Sequence, residues 1–108
     1  MNLKNILIGL EGLKAKGNLD IEIEGIESNS KNVKKGFLFV AIKGFSVDGH
    51  NFISNAIKNG AIAVAVQEDY DIKQLDLPEN VILIVAKDTR EFLAISSCNF
   101  YRESIKKI

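Results

Sequence analysis

Residues 37–42 read Phe37-Leu38-Phe39-Val40-Ala41-Ile42, an unbroken apolar run entered through Lys34-Lys35-Gly36 and left through Lys43-Gly44. A run this short and continuous has the signature of a strand buried on both faces, which a parallel sheet covered by helices supplies. The signature recurs at Val81-Ile82-Leu83-Ile84-Val85. Ala61 to Val66 alternates alanine with isoleucine or valine, so one face carries branched side chains and the other is flat enough for a helix to lie close.

Helical signals fall between and around these strands. Asp48 caps a helix that carries Phe52, Ile53, Ala56 and Ile57 inward and that Asn59-Gly60 ends through a left-handed residue. Asp88 with Glu91 makes a capping-box-like start for a last helix whose apolar stripe reads Ala94, Cys98, Tyr101 and Ile105. Leu3, Ile6, Leu7, Leu10 and Leu13 recur at helical spacing behind Asn2, which predicts an amphipathic helix over 2–15 ended by Gly17. Ile21 to Glu27 alternates apolar and acidic residues as a half-exposed strand does. The polar QEDYDIKQLDLPEN, with the only proline, connects the last two apolar strands. The predicted class is α/β: a single domain with a largely parallel or mixed β-sheet and helices on both faces.

The composition bounds the rest. A chain of 108 residues, 46% hydrophobic and 26% charged, has room for one cored domain and not two. Fourteen basic residues balance fourteen acidic ones, so no global field favours nucleic acid or an anionic membrane. One cysteine excludes an internal disulfide and a multi-cysteine zinc site, and fits a reducing compartment, the cytoplasm by default. The opening MNLKNILIGLEGLKAKG lacks the cleavage pattern of a signal peptide, and no run approaches the ~18 apolar residues that span a bilayer.

In parallel α/β sheets, ligands bind beyond the carboxyl ends of the strands. The segment in that position is Lys43 to Ile53, KGFSVDGHNFI. The phosphate-loop pattern GxxxxGK[ST], the dinucleotide pattern GxGxxG and metal-ligand clusters are all missing, so catalysis by this chain alone is not expected and no metal site is predicted. His50 has no cysteine or serine partner fixed by spacing and reads as a first-turn residue bonded locally, while Asp48 reads as a cap before it reads as a ligand. Cys98, on the stripe of the last helix, reads as a small core residue. Gly36, Gly44 and Gly49 each fit a demand on backbone angles, and Gly44 also stands where a ligand can approach the main chain.

One asymmetry points to a ligand. From Ser28 to Val47 there are four lysines, Lys31, Lys34, Lys35 and Lys43, and no acidic residue. A solvated edge explains such a run equally well. Hydroxyls at Ser28, Ser30 and Ser46 lie in the same window, however, and hydroxyls with lysines and free backbone N–H groups suit the phosphate of a mononucleotide or phosphosugar.

The series Asn29-Ser30-Lys31, Val33, Gly36, LFVAIKG at 38–44, Asp48-Gly49-His50-Asn51-Phe52-Ile53, Ala56 and Gly60-Ala61 closely resembles the amino-terminal domain of the Mur ligases, and the closing NFYRES resembles the NFY-x-x-P segment before that family's ATP-binding domain. The resemblance runs from about Ser28 to Tyr101 and, within the family, is nearest the member that adds a diamino acid, lysine or meso-diaminopimelate, to UDP-N-acetylmuramoyl-L-alanyl-D-glutamate. It implies a domain that holds the UDP end of that substrate. Uridine contacts then fall on Ser28 and Ser30, loop contacts to the nucleotide on Phe45, Ser46 and Val47, and supporting positions on Lys31, Gly44, Asp48, Gly49 and His50. The family does not use this histidine as a general base, so no catalytic residue is expected here.

The resemblance further implies that ATP and Mg2+ act in the full ligase, forming an acyl phosphate on the glutamate side chain for attack by the amine, in central and carboxyl-terminal domains joined in cis. A TGTNGKT-type loop would follow close after Ile108. The family more often has arginine at the place of Lys31, a change that loses a planar fork of donors, and proline at that of Lys35, which alters only the turn. Two alternatives stand: the member that adds D-alanyl-D-alanine, and a free-standing UDP-binding module without catalysis.

Overall fold

The structure is a computed structural model that describes residues 1–106, with side chains described through Arg102. In chain order it contains α1 (Leu3–Ile6), β1 (Lys14–Lys16), β2 (Gly25–Glu27), β3 (Phe37–Val40), α2 (Ile53–Lys58), β4 (Ala63–Gln67), β5 (Ile82–Ala86) and α3 (Thr89–Lys106). Single 3-10 turns at Ser30–Asn32, Gly49–Phe52 and Ile72–Gln74 sit in the connections. The strands form one sheet in the order β1-β5-β4-β3-β2. β2 to β5 are mutually parallel and β1 runs antiparallel to β5, so the sheet is mixed.

The alternation of side chains along each strand divides the core in two. Leu38, Val40, Ala63, Ala65, Ile82 and Ile84 face α1 and α3, where Leu3, Ile6 and Phe92 cover them. Phe39, Ala41, Val64, Val66 and Leu83 face the other way, against Ile53 and Ala56 of α2. Both faces are covered, which is why FLFVAI shows no polar interruption: Leu38, Phe39, Val40 and Ala41 are each fully buried. Register places Leu38 beside Ala63 and Val40 beside Ala65, so a large residue meets a small one across the β3–β4 ladder.

Beyond the amino ends of the strands the chain is tied by main-chain atoms. The Gly36 N–H donates to the Gly60 carbonyl at 2.9 Å. Gly60 has φ +117° and follows Asn59 as the predicted left-handed helix stop; a Cβ there would stand 2.5 Å from the Lys35 Cα. Asp88 caps α3 as expected, its Oδ1 accepting from the Arg90 N–H at 2.9 Å and the Glu91 N–H at 3.3 Å.

Three expectations are corrected. The helix over 2–15 stops at Ile6, because Gly9 and Gly12 take φ +88° and +69° and turn the chain; Leu7, Leu10 and Leu13 still pack against the core. Lys14–Lys16 then adds an exposed edge strand. Of the strand expected over 21–27, only Gly25–Glu27 joins the sheet; Ile21 and Ile23 instead bond the first residues of the chain, through Leu3 N–H to Ile21 O at 2.9 Å and Ile23 N–H to Met1 O at 2.8 Å. The stripe of α3 is rotated: Phe92, Leu93 and Phe100 pack on the sheet, while Ala94, Cys98 and Tyr101 are exposed. Cys98 is thus a surface thiol that accepts from Arg102 Nη2 at 3.4 Å, not a core residue. The large side chain Phe92 sets the rotation, since burying it removes far more apolar surface than burying an alanine and a cysteine. The Ile105 side chain lies outside the described residues.

Candidate functional site

The loop beyond β3 is a closed finger. Lys43 and Asp48 bridge antiparallel at its base, the Gly44 N–H donates to the Val47 carbonyl at 2.8 Å, and the Gly49 N–H donates to the Ile42 carbonyl at 2.8 Å. Phe45 and Ser46 form the tip. Phe45 is fully exposed and Val47 is 57% exposed, an aromatic and an aliphatic side chain left in solvent by a fold that covers both faces of its sheet. Gly44 and Gly49 do not need positive φ. A Cβ on Gly49 would lie 2.7 Å from the Ile42 N, and one on Gly44 would lie 3.0 Å from the Val47 O, so both serve close approach of main chains; only Gly36, at φ +86°, serves a backbone angle.

Beside this finger, parallel pairing of Glu27 with Phe39 brings the segment after β2 to the same edge of the sheet. Asn29 caps the 3-10 turn there by accepting from the Lys31 N–H at 3.0 Å. Ser28 is exposed, as is Ser46. Ser30 is buried, and its carbonyl accepts from Asn59 Nδ2 at 2.8 Å. The lysines do not gather: Lys31 and Lys43 follow the carboxyl ends of β2 and β3, whereas Lys34 and Lys35 precede the amino end of β3. The charge window of the sequence therefore belongs to two ends of the sheet.

At the base of the finger, His50 is 5% exposed. Its Nδ1 stands 2.7 Å from Asp48 Oδ1, and its Nε2 accepts from the Gln67 backbone N–H at 3.0 Å. A backbone amide can only donate, so Nε2 holds the lone pair and Nδ1 the proton: the ring is neutral in a single tautomer. Tyr70 stacks on it, with centroids 4.6 Å apart and planes at 25°. Asp48 also accepts from the His50 N–H at 3.0 Å. Burial pushes the Asp48 carboxyl up, but the His50 amide and ring and the charge of Lys43 together hold it below the ordinary 3.8.

Residues that sequence reasoning missed complete the arrangement. Gln67, last in β4, accepts at Oε1 from the Thr89 N–H at 2.9 Å and Thr89 Oγ1 at 3.0 Å, and its side-chain amide donates to the Lys87 carbonyl. Arg90 Nη2 donates to the Lys43 carbonyl at 3.1 Å. Their one local signal is a glutamine closing the apolar run AVAVQ, where its amide stands at a strand end among helix starts. Lys43, Asp48, His50, Gln67, Tyr70 and Gln74 line a cleft of about 430 Å³ beside the finger. Among the described residues, no group of three or more His, Cys, Asp or Glu side chains could hold a metal ion, and no helix is long and apolar enough to cross a membrane.

A mixed five-stranded sheet covered by helices on both faces defines a single α/β domain. The family model described as "Mur ligase family, catalytic domain" matches residues 22–101. The chain belongs to the Mur ligase family and corresponds to its amino-terminal domain. It is 41% identical over 94% of its length to the UDP-N-acetylmuramoyl-L-alanyl-D-glutamate--2,6-diaminopimelate ligase of Clostridium perfringens, covering 20% of that protein. To the ligase of the same name from Clostridioides difficile it is 41% identical over 99% of its length, covering 21%. Among solved structures, MurF from Acinetobacter baumannii matches 94% of the chain and 21% of its own with a TM-score of 0.70 at 21% identity, a likeness of fold. The chain spans about a fifth of the length of these ligases.

Proposed function

We propose that this domain holds the UDP end of UDP-N-acetylmuramoyl-L-alanyl-D-glutamate within a ligase that joins 2,6-diaminopimelate to the dipeptide. Ser28, Ser30, Phe45, Ser46 and Val47 contact the nucleotide, with Lys31, Gly44, Asp48, Gly49 and His50 supporting them. The observation that carries this reading is the exposed finger tip Phe45–Val47, following β3 at the same carboxyl edge of the sheet at which Ser28 follows β2, in a chain 41% identical to diaminopimelate ligases over nearly its whole length. Phe45 offers a base an open ring face, and stacking on an aromatic is worth roughly 1–3 kcal/mol per base. Lys43 and Lys31 supply positive charge for the phosphates.

The ATP and Mg2+ used by the whole ligase do not fit the residues here: the chain has no phosphate-loop pattern, and its described residues offer no metal cluster. Those groups belong to the central and carboxyl-terminal domains, its partners in cis in the cytoplasm. One domain grips one end of the substrate, so the expected dissociation constant is near ~1 mM, about −4 kcal/mol. Titrating the chain with UDP while following backbone amide shifts tests the reading. Shifts at Ser28, Ser30 and Phe45 to Val47 are expected, and their absence at millimolar UDP would rule it out.

A second reading, a ligase of the MurF type, is favoured by the solved structures alone, and their identity of 21% over the best-covered match is far below that to the diaminopimelate ligases. Tighter retention of the UDP-linked tripeptide than of the dipeptide by the whole protein would favour it. A free-standing UDP-binding module is the third; a native coding sequence without ligase domains would favour that.

A further inference from the structure

We propose that His50 is a positioning residue for the ligand finger, and that it works only while its ring is neutral, so the finger is released when the ring takes a second proton. The geometry sets the condition. The ring joins the base of the finger, through Asp48 Oδ1 at 2.7 Å, to the end of β4, through the Gln67 N–H at 3.0 Å. With Nε2 protonated, two N–H donors face each other across 3.0 Å and neither can accept. The half-buried Gln67 amide then lacks its partner, and the ring swings or the strand end parts from it. Tyr70, stacked at 4.6 Å, blocks one face of any swing. Asp48 cannot follow the ring freely, because the same Oδ1 caps the turn at Gly49–Phe52 and its backbone bridges Lys43.

The charged and titratable groups that share a cleft with the ring are Asp48 and Lys43 on the finger side and Asp69, Tyr70, Asp71 and Asp76 on the β4–β5 connection. Arg90 of α3 reaches the same finger at the Lys43 carbonyl. Asp48 is held below 3.8, so its carboxylate stays ionised down to that value. The event that breaks the link is therefore protonation of the ring at Nε2.

The consequence for nucleotide binding rests on the function proposed above; the consequence for the finger does not. The test lowers the pH from about 8 until the His50 ring nitrogens themselves report the second proton. Three signals are read: the His50 ring nitrogens, hydrogen exchange at the Gly44 and Gly49 amides corrected for intrinsic pH dependence, and UDP affinity. The expected result is an Nδ1–H tautomer at the upper end, with exchange about tenfold faster and UDP about tenfold weaker once the ring is charged. His50→Gln supplies an amide oxygen that accepts from Gln67 and takes no proton here. Its corrected exchange should stay flat across the range, and its UDP titration isolates the ligand's own ionisation. An Nε2–H tautomer in the wild type, or protection at Gly44 and Gly49 that survives protonation of the ring, overturns the proposal. If UDP fails to bind at every pH, the nucleotide reading falls, while the ring and exchange signals still decide the role of His50.

Discussion

The guanidinium of Arg90, in the first turn of α3, donates from Nη2 to the main-chain carbonyl of Lys43 at 3.1 Å, across 47 residues of sequence. One end of this contact lies on the helix that packs along the sheet, the other on the finger that ends in Phe45. It fixes the finger without entering the core, so its loss should be felt locally.

Arg90→Ala is accordingly expected to change global stability by less than about 1 kcal/mol, as exposed polar contacts do. Exchange at the Gly44 amide should nevertheless quicken severalfold. Urea titration and native-state exchange measure the two quantities separately; equal losses in both would mean that Arg90 supports the whole fold and not the finger.

Gly60→Ala should be far more damaging than a methyl group on a turn usually is. The φ of +117° disfavours any L side chain, and the new Cβ would sit 2.5 Å from backbone of Lys35 that is itself tied through Gly36. A loss of about 2–4 kcal/mol is expected from strain plus displacement. A urea midpoint within experimental scatter of the wild type would contradict the main-chain closure described here.

Asp48 gives a pH dependence with a definite sign. Its carboxyl is lowered in the folded chain relative to 3.8, so its contribution is fully present above that value and fades as pH falls towards the lower folded value, because the unfolded chain takes the proton first. Comparing Asp48→Asn with the wild type, the stability gap should narrow on acidification below about pH 4. A gap that widens on acidification would show that the carboxyl is raised instead.

Cys98 should react with a small alkylating reagent in the native state at nearly the rate seen in urea, since it is exposed on α3. Cys98→Ser is expected to cost less than about 0.5 kcal/mol. Protection of the thiol without denaturant would restore the inward stripe that the periodicity of the sequence favours.

That stripe marks where legibility ended. β3, β4 and β5 could be read because a strand covered on both faces admits mainly apolar residues, and the Asp88 cap and the Gly60 stop could be read because each answers a local geometric demand; Asp48 caps the 3-10 turn Gly49–Phe52 and not α2 itself, and Phe52, expected inward, is exposed. The first 16 residues misled, because leucines at helical spacing also suit a turn that buries Leu7, Leu10 and Leu13, and Gly9 and Gly12 decide between the two only through φ. Lys14-Ala15-Lys16 carries no apolar signal, since an exposed edge strand has nothing to bury. At the site, Ser28 and the finger were legible as a segment. Gln67, Tyr70 and Arg90 were not, because each acts on residues far along the chain and none lies in a pattern with its partner. Ser30 read as a hydroxyl for a ligand phosphate or uridine, and nothing in the sequence showed that it is buried with its carbonyl bonded to Asn59, which only the packing of α2 brings near.

The two ends of the sheet are fastened by different kinds of atom. Gly36 and Gly60 meet through backbone groups, whereas at the other end the side chains of His50, Gln67, Thr89 and Arg90 reinforce the backbone bonds of the finger. Substitution can therefore retune the finger end of this domain while the frame beneath it stays put, giving one scaffold room to drift at its rim without relearning how to fold.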